Sequence, residues 1–265
     1  MVSYVRSRQE VPYTHRRHAI FISVEAEKRL GEAAFQQEKD DAQRKGTLLP
    51  STHSVSQLVK RVGDRIIQKV VDGQGGGYQE HLKDLDWEYA VIKSDTMNAG
   101  VLPGGKIIVY TGLLKVMDRK DELAAVLGHE AGHVIARHHA ERVSRLSLVF
   151  LLRLAFLIVF QMDLPPGLAD IAFNLPNSRA QEEEADVIGM SLAARACYEP
   201  GAAMTVFTRL GAVEKKMGLH VIPAFLRTHP LSEVRVQKLQ KHLPEARHWA
   251  ELEEPKPASD DPFDF

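Results

Sequence analysis

Between Gly128 and His139 the chain reads GHEAGHVIARHH, with four histidines and one glutamate in twelve residues. His129 and His133 are four apart, so on a helix they stand one above the other on a single face. Two neutral imidazoles placed that way can hold two corners of a tetrahedral zinc site. Glu130 is offset by about 100° around the helix axis. There it can flank the ion without binding it and take a proton from water whose pKa the metal lowers to about 7. This is equipment for metal-assisted hydrolysis, and it needs at least one more protein ligand.

Two sources can supply that ligand. His139 would serve if the chain turned back after His133, as it does where a glycine follows the second histidine at the right spacing. Here that position is Ala136, a strong helix former, so a continuing helix carries His138 and His139 off the face that bears His129 and His133. The other source is acidic. In SRAQEEEADVIG, Ser178 to Gly189, Glu182 and Asp186 share one helix face. Glu182 can fill the third corner, and Asp186 can accept the free N–H of a ligand histidine and so fix its tautomer. Glu182 is therefore the preferred third ligand, while Glu183 and Glu184 point to other faces. Gly128 and Gly132 are costly inside a helix, by ~1 kcal/mol each against alanine, and are expected to admit a second backbone at close range.

The elements that must position these groups follow from periodicity and punctuation. Ser23 is placed to cap a helix ending near Arg44, with Gly46 beyond it. Leu58, Val62, Ile66 and Val70 give Val55–Val71 an apolar stripe. DGQGGG, from Asp72, reads as a flexible loop and lacks the Lys-Ser/Thr ending of a phosphate loop. Trp87–Ile92 reads as a strand, and Pro103-Gly104-Gly105 as the turn of a hairpin. One helix is expected from Asp121 to about Val143, a short one at Gly167–Asn174, and others at Ser178–Ala196 and Pro200–Met217. A last helix, capped by Ser232, is expected to end near His242. This predicts an α+β chain, mainly helical, with a small antiparallel or mixed sheet. Residues 1–22 form an exposed arm, 23–250 one domain, and 251–265 a disordered acidic tail.

Composition excludes several alternatives. A formal net charge of -1 gives no general attraction to nucleic acid, and the single cysteine, Cys197, allows no internal disulfide. The N-terminal stretch lacks the apolar segment of a secretory signal. The most apolar run, Leu146 to Phe160, has 15 residues against the ~20 needed to cross a bilayer, and Arg153 interrupts it. It reads as a membrane-dipping segment, a partner-facing one or a core helix.

HEAGH followed by QEEEADVIG resembles the zinc peptidases of the CAAX prenyl-protease and HtpX type. MNAGVLPGGKIIVYTGLL resembles the strand-turn-strand that precedes their active helix, although their usual Asn-Ala-Phe is here Asn98-Ala99-Gly100. THPLSEVRVQKL resembles their late His-Pro motif with its following arginine, here His229 and Arg235. The resemblance implies a gluzincin-type fold and one zinc ion per chain, held by His129, His133 and Glu182, with Glu130 as general base and Asp186 in support. It further implies that His229 is an oxyanion donor or gate beside the metal, that Arg235 orients His229 or pairs with a buried acid, and that Asn98 contacts substrate. A narrower likeness, in AARAC ending at Cys197, THP at Thr228 and LPEA from Leu243, is to members of the family at the mitochondrial inner membrane. It implies membrane association, quality-control proteolysis under stress, polypeptide substrates including a dynamin-like GTPase of that membrane, and possible homo-oligomers. Those members carry a presequence and an anchor ahead of the matching region, so the chain is expected to correspond to their catalytic portion. The rival readings are a periplasmic quality-control peptidase of the bacterial type and a non-catalytic zinc-stabilised scaffold. A scaffold would close its site with a fourth protein ligand and would have no use for Glu130.

Overall fold

A computed structural model describes residues 8–71, 80–82, 85–161, 179–217, 223–230 and 233–253. Strands β1, Arg8–Glu10, and β2, Arg17–Ala19, pair antiparallel, with Arg8 opposite Ala19. Val11 and Ile20 beside them are buried. The described part of the N-terminal stretch is thus a docked hairpin, which corrects the expectation of an exposed arm. Apolar anchors at both ends of the hairpin loop hold it, together with ion pairs at its tip.

Ser23 accepts a hydrogen bond from the Ala26 N–H and opens helix α1, Val24–Arg44, as its residue type predicts. Helix α2, Ser54–Val71, buries the expected stripe of Leu58, Val62, Ile66 and Val70. Strands β3, Glu88–Ile92, β4, Ala99–Leu102, and β5, Lys106–Tyr110, form a mixed sheet in the order β3-β5-β4. The β4–β5 hairpin turns through Gly104 and Gly105, whose φ angles of 84° and 85° disfavour any side chain. β4 lies at the sheet edge, with Ala99 opposite Val109 and Leu102 opposite Lys106.

The remaining elements are helical: α3 Thr111–Leu114, α4 Lys120–Ile135, α5 His138–Phe160, α6 Arg179–Arg195, α7 Ala202–Met217, α8 Ala224–Thr228 and α9 Glu233–Leu252. Helix α4 is the centre of the molecule, with every residue from Glu122 to Ile135 buried. Helix α6 lies against it at backbone distance. A Cβ on Gly128 would sit 2.7 Å from the Gly189 carbonyl oxygen, and one on Gly132 would sit 2.8 Å from that of Ala185. The two mid-helix glycines are therefore explained by close approach.

Two boundaries differ from the sequence reading. The single helix expected over 121–143 is broken at Ala136 and Arg137, and Arg137 adopts a left-handed conformation with φ 52°. Its guanidinium offsets that strain by binding Glu27 at 2.7 Å and Gln9 at 2.9 Å. The last helix continues past His242 and through Pro244 to Leu252, because Ala246 and Ala250 pack on the core. Glu253 then binds Lys69, so the tail expected from residue 251 is ordered at its start. Gly167–Asn174, the DGQGGG loop, Ser232 and residues 254–265 lie outside the described residues.

Candidate metal centre

Helix α4 presents His129, Glu130 and His133, and helix α6 presents Glu182 and Asp186. The segment after α8 adds His229, and α9 adds Arg235. All seven side chains are buried. One ligand atom from each of His129, His133, Glu182 and His229 lies within 4.8 Å of all the others. His129 Nε2 is 3.1 Å from His133 Nε2 and 3.4 Å from Glu182 Oε2, and His133 Nε2 is 3.6 Å from Glu182 Oε1. Corners of a tetrahedron whose bonds are ~2.0–2.1 Å stand about 3.3–3.4 Å apart. The separations, taken to either oxygen of Glu182, are therefore of the size a zinc site needs, and the donor types fit.

Charge and hydrogen bonding agree with that fit. Glu182 and Asp186 are buried carboxylates against one buried guanidinium, Arg235, and Glu130, whose carboxyl burial pushes up, is buried 3.4 Å from His229. A cation would balance the excess of carboxylate. Burial works against ionised Glu182, yet hydrogen bonds from His129 and His229 and the nearby imidazoles hold its carboxyl well below the usual range. Burial also works against protonated His129, but Asp186 and Glu182 overcome it and lift the imidazole to about 9. The site thus attracts positive charge at that position. Burial together with His129 pushes His133 well below 6.5, keeping it neutral as a ligand must be. Oε1 of Glu130 and Oε1 of Glu182 are buried without a hydrogen-bond partner. Such orphans are uncommon in native cores and point toward a missing electropositive neighbour.

Each proposed site residue can now be placed. His129 Nδ1 donates to Asp186 Oδ1 at 2.9 Å, and Arg235 clamps both Asp186 oxygens at 2.7 Å. Arg235 also binds the carbonyls of His229 at 3.3 Å and Pro230 at 2.9 Å. These contacts fall on a buried acid and on the His229 segment, the two groups named for it in the sequence reading. His229 was expected beside the metal as a donor or gate. Its Nδ1 is in fact 3.1 Å from His129 Nε2 and 3.0 Å from Glu182 Oε2, within the donor set itself, and its Nε2 is 3.4 Å from Glu130. Glu130 Oε2 accepts from the Val101 N–H at 3.0 Å, which ties this carboxylate to edge strand β4. Asn98 precedes that strand. Its side-chain oxygen is buried with no hydrogen-bond partner among the described residues.

His138 is the residue that sequence reasoning misjudged. It does not join the donor set, as expected, but neither does it point elsewhere. Its Nδ1 lies 2.8 Å from His133 Nδ1 and its Nε2 lies 2.9 Å from Glu184 Oε2. The left-handed Arg137 turns it back. No glycine or asparagine at 136–137 announces such a turn, so the sequence carried no signal for it.

A buried His-Glu-x-x-His helix joined by a glutamate from a second helix defines a zinc-dependent metallopeptidase. Residues 62–243 match peptidase family M48, and the chain belongs to that family. It is similar to the mitochondrial metalloendopeptidase OMA1 of Schizosaccharomyces pombe, with 38% identity over 93% of this chain and 69% of that protein. It is also similar to the mitochondrial metalloendopeptidase OMA1 of Homo sapiens, with 28% identity over 95% of this chain, which spans about half of the human protein at 49%. A more distant likeness is to the beta-barrel assembly-enhancing protease of Yersinia pestis, 28% identical over 65% of this chain and 36% of that protein.

Proposed function

We propose that the chain is the catalytic part of an endopeptidase of the mitochondrial inner membrane, cleaving membrane-associated polypeptides that include a dynamin-like GTPase. The Schizosaccharomyces pombe and human relatives match 93% and 95% of the chain, against 65% and 77% for two bacterial ones, which favours this reading over a periplasmic peptidase. The observation that carries the chemistry is the position of Glu130, one oxygen tied to the sheet edge and the other without a hydrogen bond and 3.4 Å from His229 in the donor cluster. A scaffold has no use for that arrangement.

His129, His133 and Glu182 would hold zinc, which when bound acidifies water and polarises a peptide carbonyl. Glu130 receives the proton at Oε1. Strand β4 offers a sheet edge to which an extended peptide can add, with Asn98 at its start as the substrate contact. His229 lies among the donor atoms, and with a catalytic site keeping one position for water or substrate, its ring N–H would serve the carbonyl oxygen of the bond being cut. Asp186 and Arg235 hold His129 and the His229 segment in register.

Helix α5 supports the membrane assignment. Exposure along its second half rises from 43% at Leu154 to 70% at Ile158, with Phe150 and Leu151 at 61% and 59%, so this run is not a core helix. No helix among the described residues is long and apolar enough to cross a membrane. A helical run apolar but for Arg153 and largely uncovered fits a segment that dips into lipid.

The test pairs three variants with metal analysis and cleavage of an unfolded protein substrate. Glu130→Gln should keep about one zinc per chain and lose ~10²–10⁴ in turnover. Glu182→Ala should lose zinc to a mild chelator. Replacing Leu151, Leu154 and Phe156 with serine should reduce binding to anionic liposomes and leave cleavage of a soluble substrate intact. Near-normal turnover by Glu130→Gln would remove the proposed base.

A further inference from the structure

A zinc-ligand histidine has a single proton to place, and its second nitrogen decides how well it binds. His133 directs Nε2 into the donor cluster, so as a ligand it must carry its proton on Nδ1. That proton faces His138 Nδ1 at 2.8 Å, which must therefore offer a bare lone pair. The His138 proton then lies on Nε2, facing Glu184 Oε2 at 2.9 Å. Glu184 in turn accepts from Thr14 and from Arg16, whose Nε and Nη2 both lie 2.8 Å away. Every proton in this row has one direction available, and the row ends on an arginine that cannot reverse it. The rings of His133 and His138 meet edge to face, at 72° with centroids 4.8 Å apart, which fixes the plane of His133 as well as its tautomer.

We propose that His138, backed by Glu184, is a positioning residue that sets the tautomer and ring plane of His133 for metal binding. The proposal rests on the reading of His133 as a ligand through Nε2. His138 does for His133 what Asp186 does for His129, with a neutral ring in place of a carboxylate. A neutral acceptor leaves His133 less electron-rich than an anionic one would. The two ligands of one helix are thus made unequal by their supports.

The experiment uses the full chain and zinc as the probe. Zinc affinity is measured by chelator competition for His138→Leu, His138→Gln and His133→Ala, each with its metal-free melting temperature. A glutamine at 138 can accept from the His133 N–H through its carbonyl and donate to Glu184 through its amide, whereas leucine can do neither. His138→Leu should bind zinc ~10–100-fold more weakly, the usual effect of losing such an outer partner. His138→Gln should recover most of that loss, which a merely structural role would not do. Wild-type affinity in His138→Leu, or no recovery in His138→Gln, overturns the proposal. If His133→Ala also binds normally, the ligand reading itself is wrong, and that outcome is separate from the first. Should His138→Leu fail to fold, nitrogen-15 histidine spectra of the zinc-loaded wild type decide. His138 protonated on Nε2 alone supports the proposal, and His138 protonated on Nδ1 refutes it.

Discussion

His129 and His133 lie one turn apart on the same helix, yet they are held from opposite ends of the chain. The His129 support runs C-terminally through Asp186 to Arg235, a two-pronged ion pair with both side chains 2% exposed. The His133 support runs N-terminally through His138 and Glu184 to Arg16, which is 28% exposed and lies on the hairpin loop. Buried charge pairs fail abruptly, because removing one partner leaves the other desolvated and alone. A row that ends near water fails gradually, because solvent can replace its last member. The centre therefore has a stiff side and a yielding side.

The largest effect is expected on the stiff side. Arg235→Leu would leave Asp186 and Glu182 facing each other without their guanidinium and should cost ~3–5 kcal/mol of folding stability. Denaturant unfolding of the metal-free chain measures this, and a loss below 1 kcal/mol would erase the distinction between the sides. On the yielding side, Arg16→Ala should cost ~1 kcal/mol or less and weaken zinc only a few-fold, less than His138→Leu does. If Arg16→Ala matches Arg235→Leu, the hairpin is as integral to the centre as α9.

The smallest effect concerns acid. Glu141 joins Arg16 at 2.9 Å and His18 at 3.3 Å, and although burial pushes it up, these partners and Gln181 hold its carboxyl far below 4.5. A depressed carboxyl contributes stability above its unfolded value that fades as pH falls below it. Hairpin docking should thus be constant above about pH 5 and loosen below 4.5. Limited proteolysis of the 8–19 segment across that range should show it, and Glu141→Gln should reduce the dependence, with Glu184 keeping the rest.

Much of the centre was legible because it is written in local spacing. The four-residue intervals of His129 with His133 and of Glu182 with Asp186 state which side chains share a face, and two glycines mark where the helices touch. The hairpin turn and the cap at Ser23 were equally local. What could not be read depends on contacts distant in sequence. The break at Arg137 is stabilised by Glu27 and Gln9, more than a hundred residues earlier, and without it His138 reads as carried off the face of His129 and His133. The docking of residues 8–19 depends on Glu141 and Glu184, which look like ordinary solvated acids. His229 was expected near the metal only through a resemblance, since a histidine before a proline carries no spacing rule.

The glycine contact between α4 and α6 also bears on the order in which the enzyme is made. A Cβ on Gly189 would stand 2.5 Å from the His129 backbone nitrogen, so these two helices meet main chain to main chain at the level of the ligands. That meeting uses no side chain of the centre and requires no ion. Small zinc domains fold only as they capture their metal. Here the frame can close first, and zinc can enter a site already built. The ion is then an exchangeable guest of a mature chain, and a stripped chain should keep its helices and regain activity on reloading.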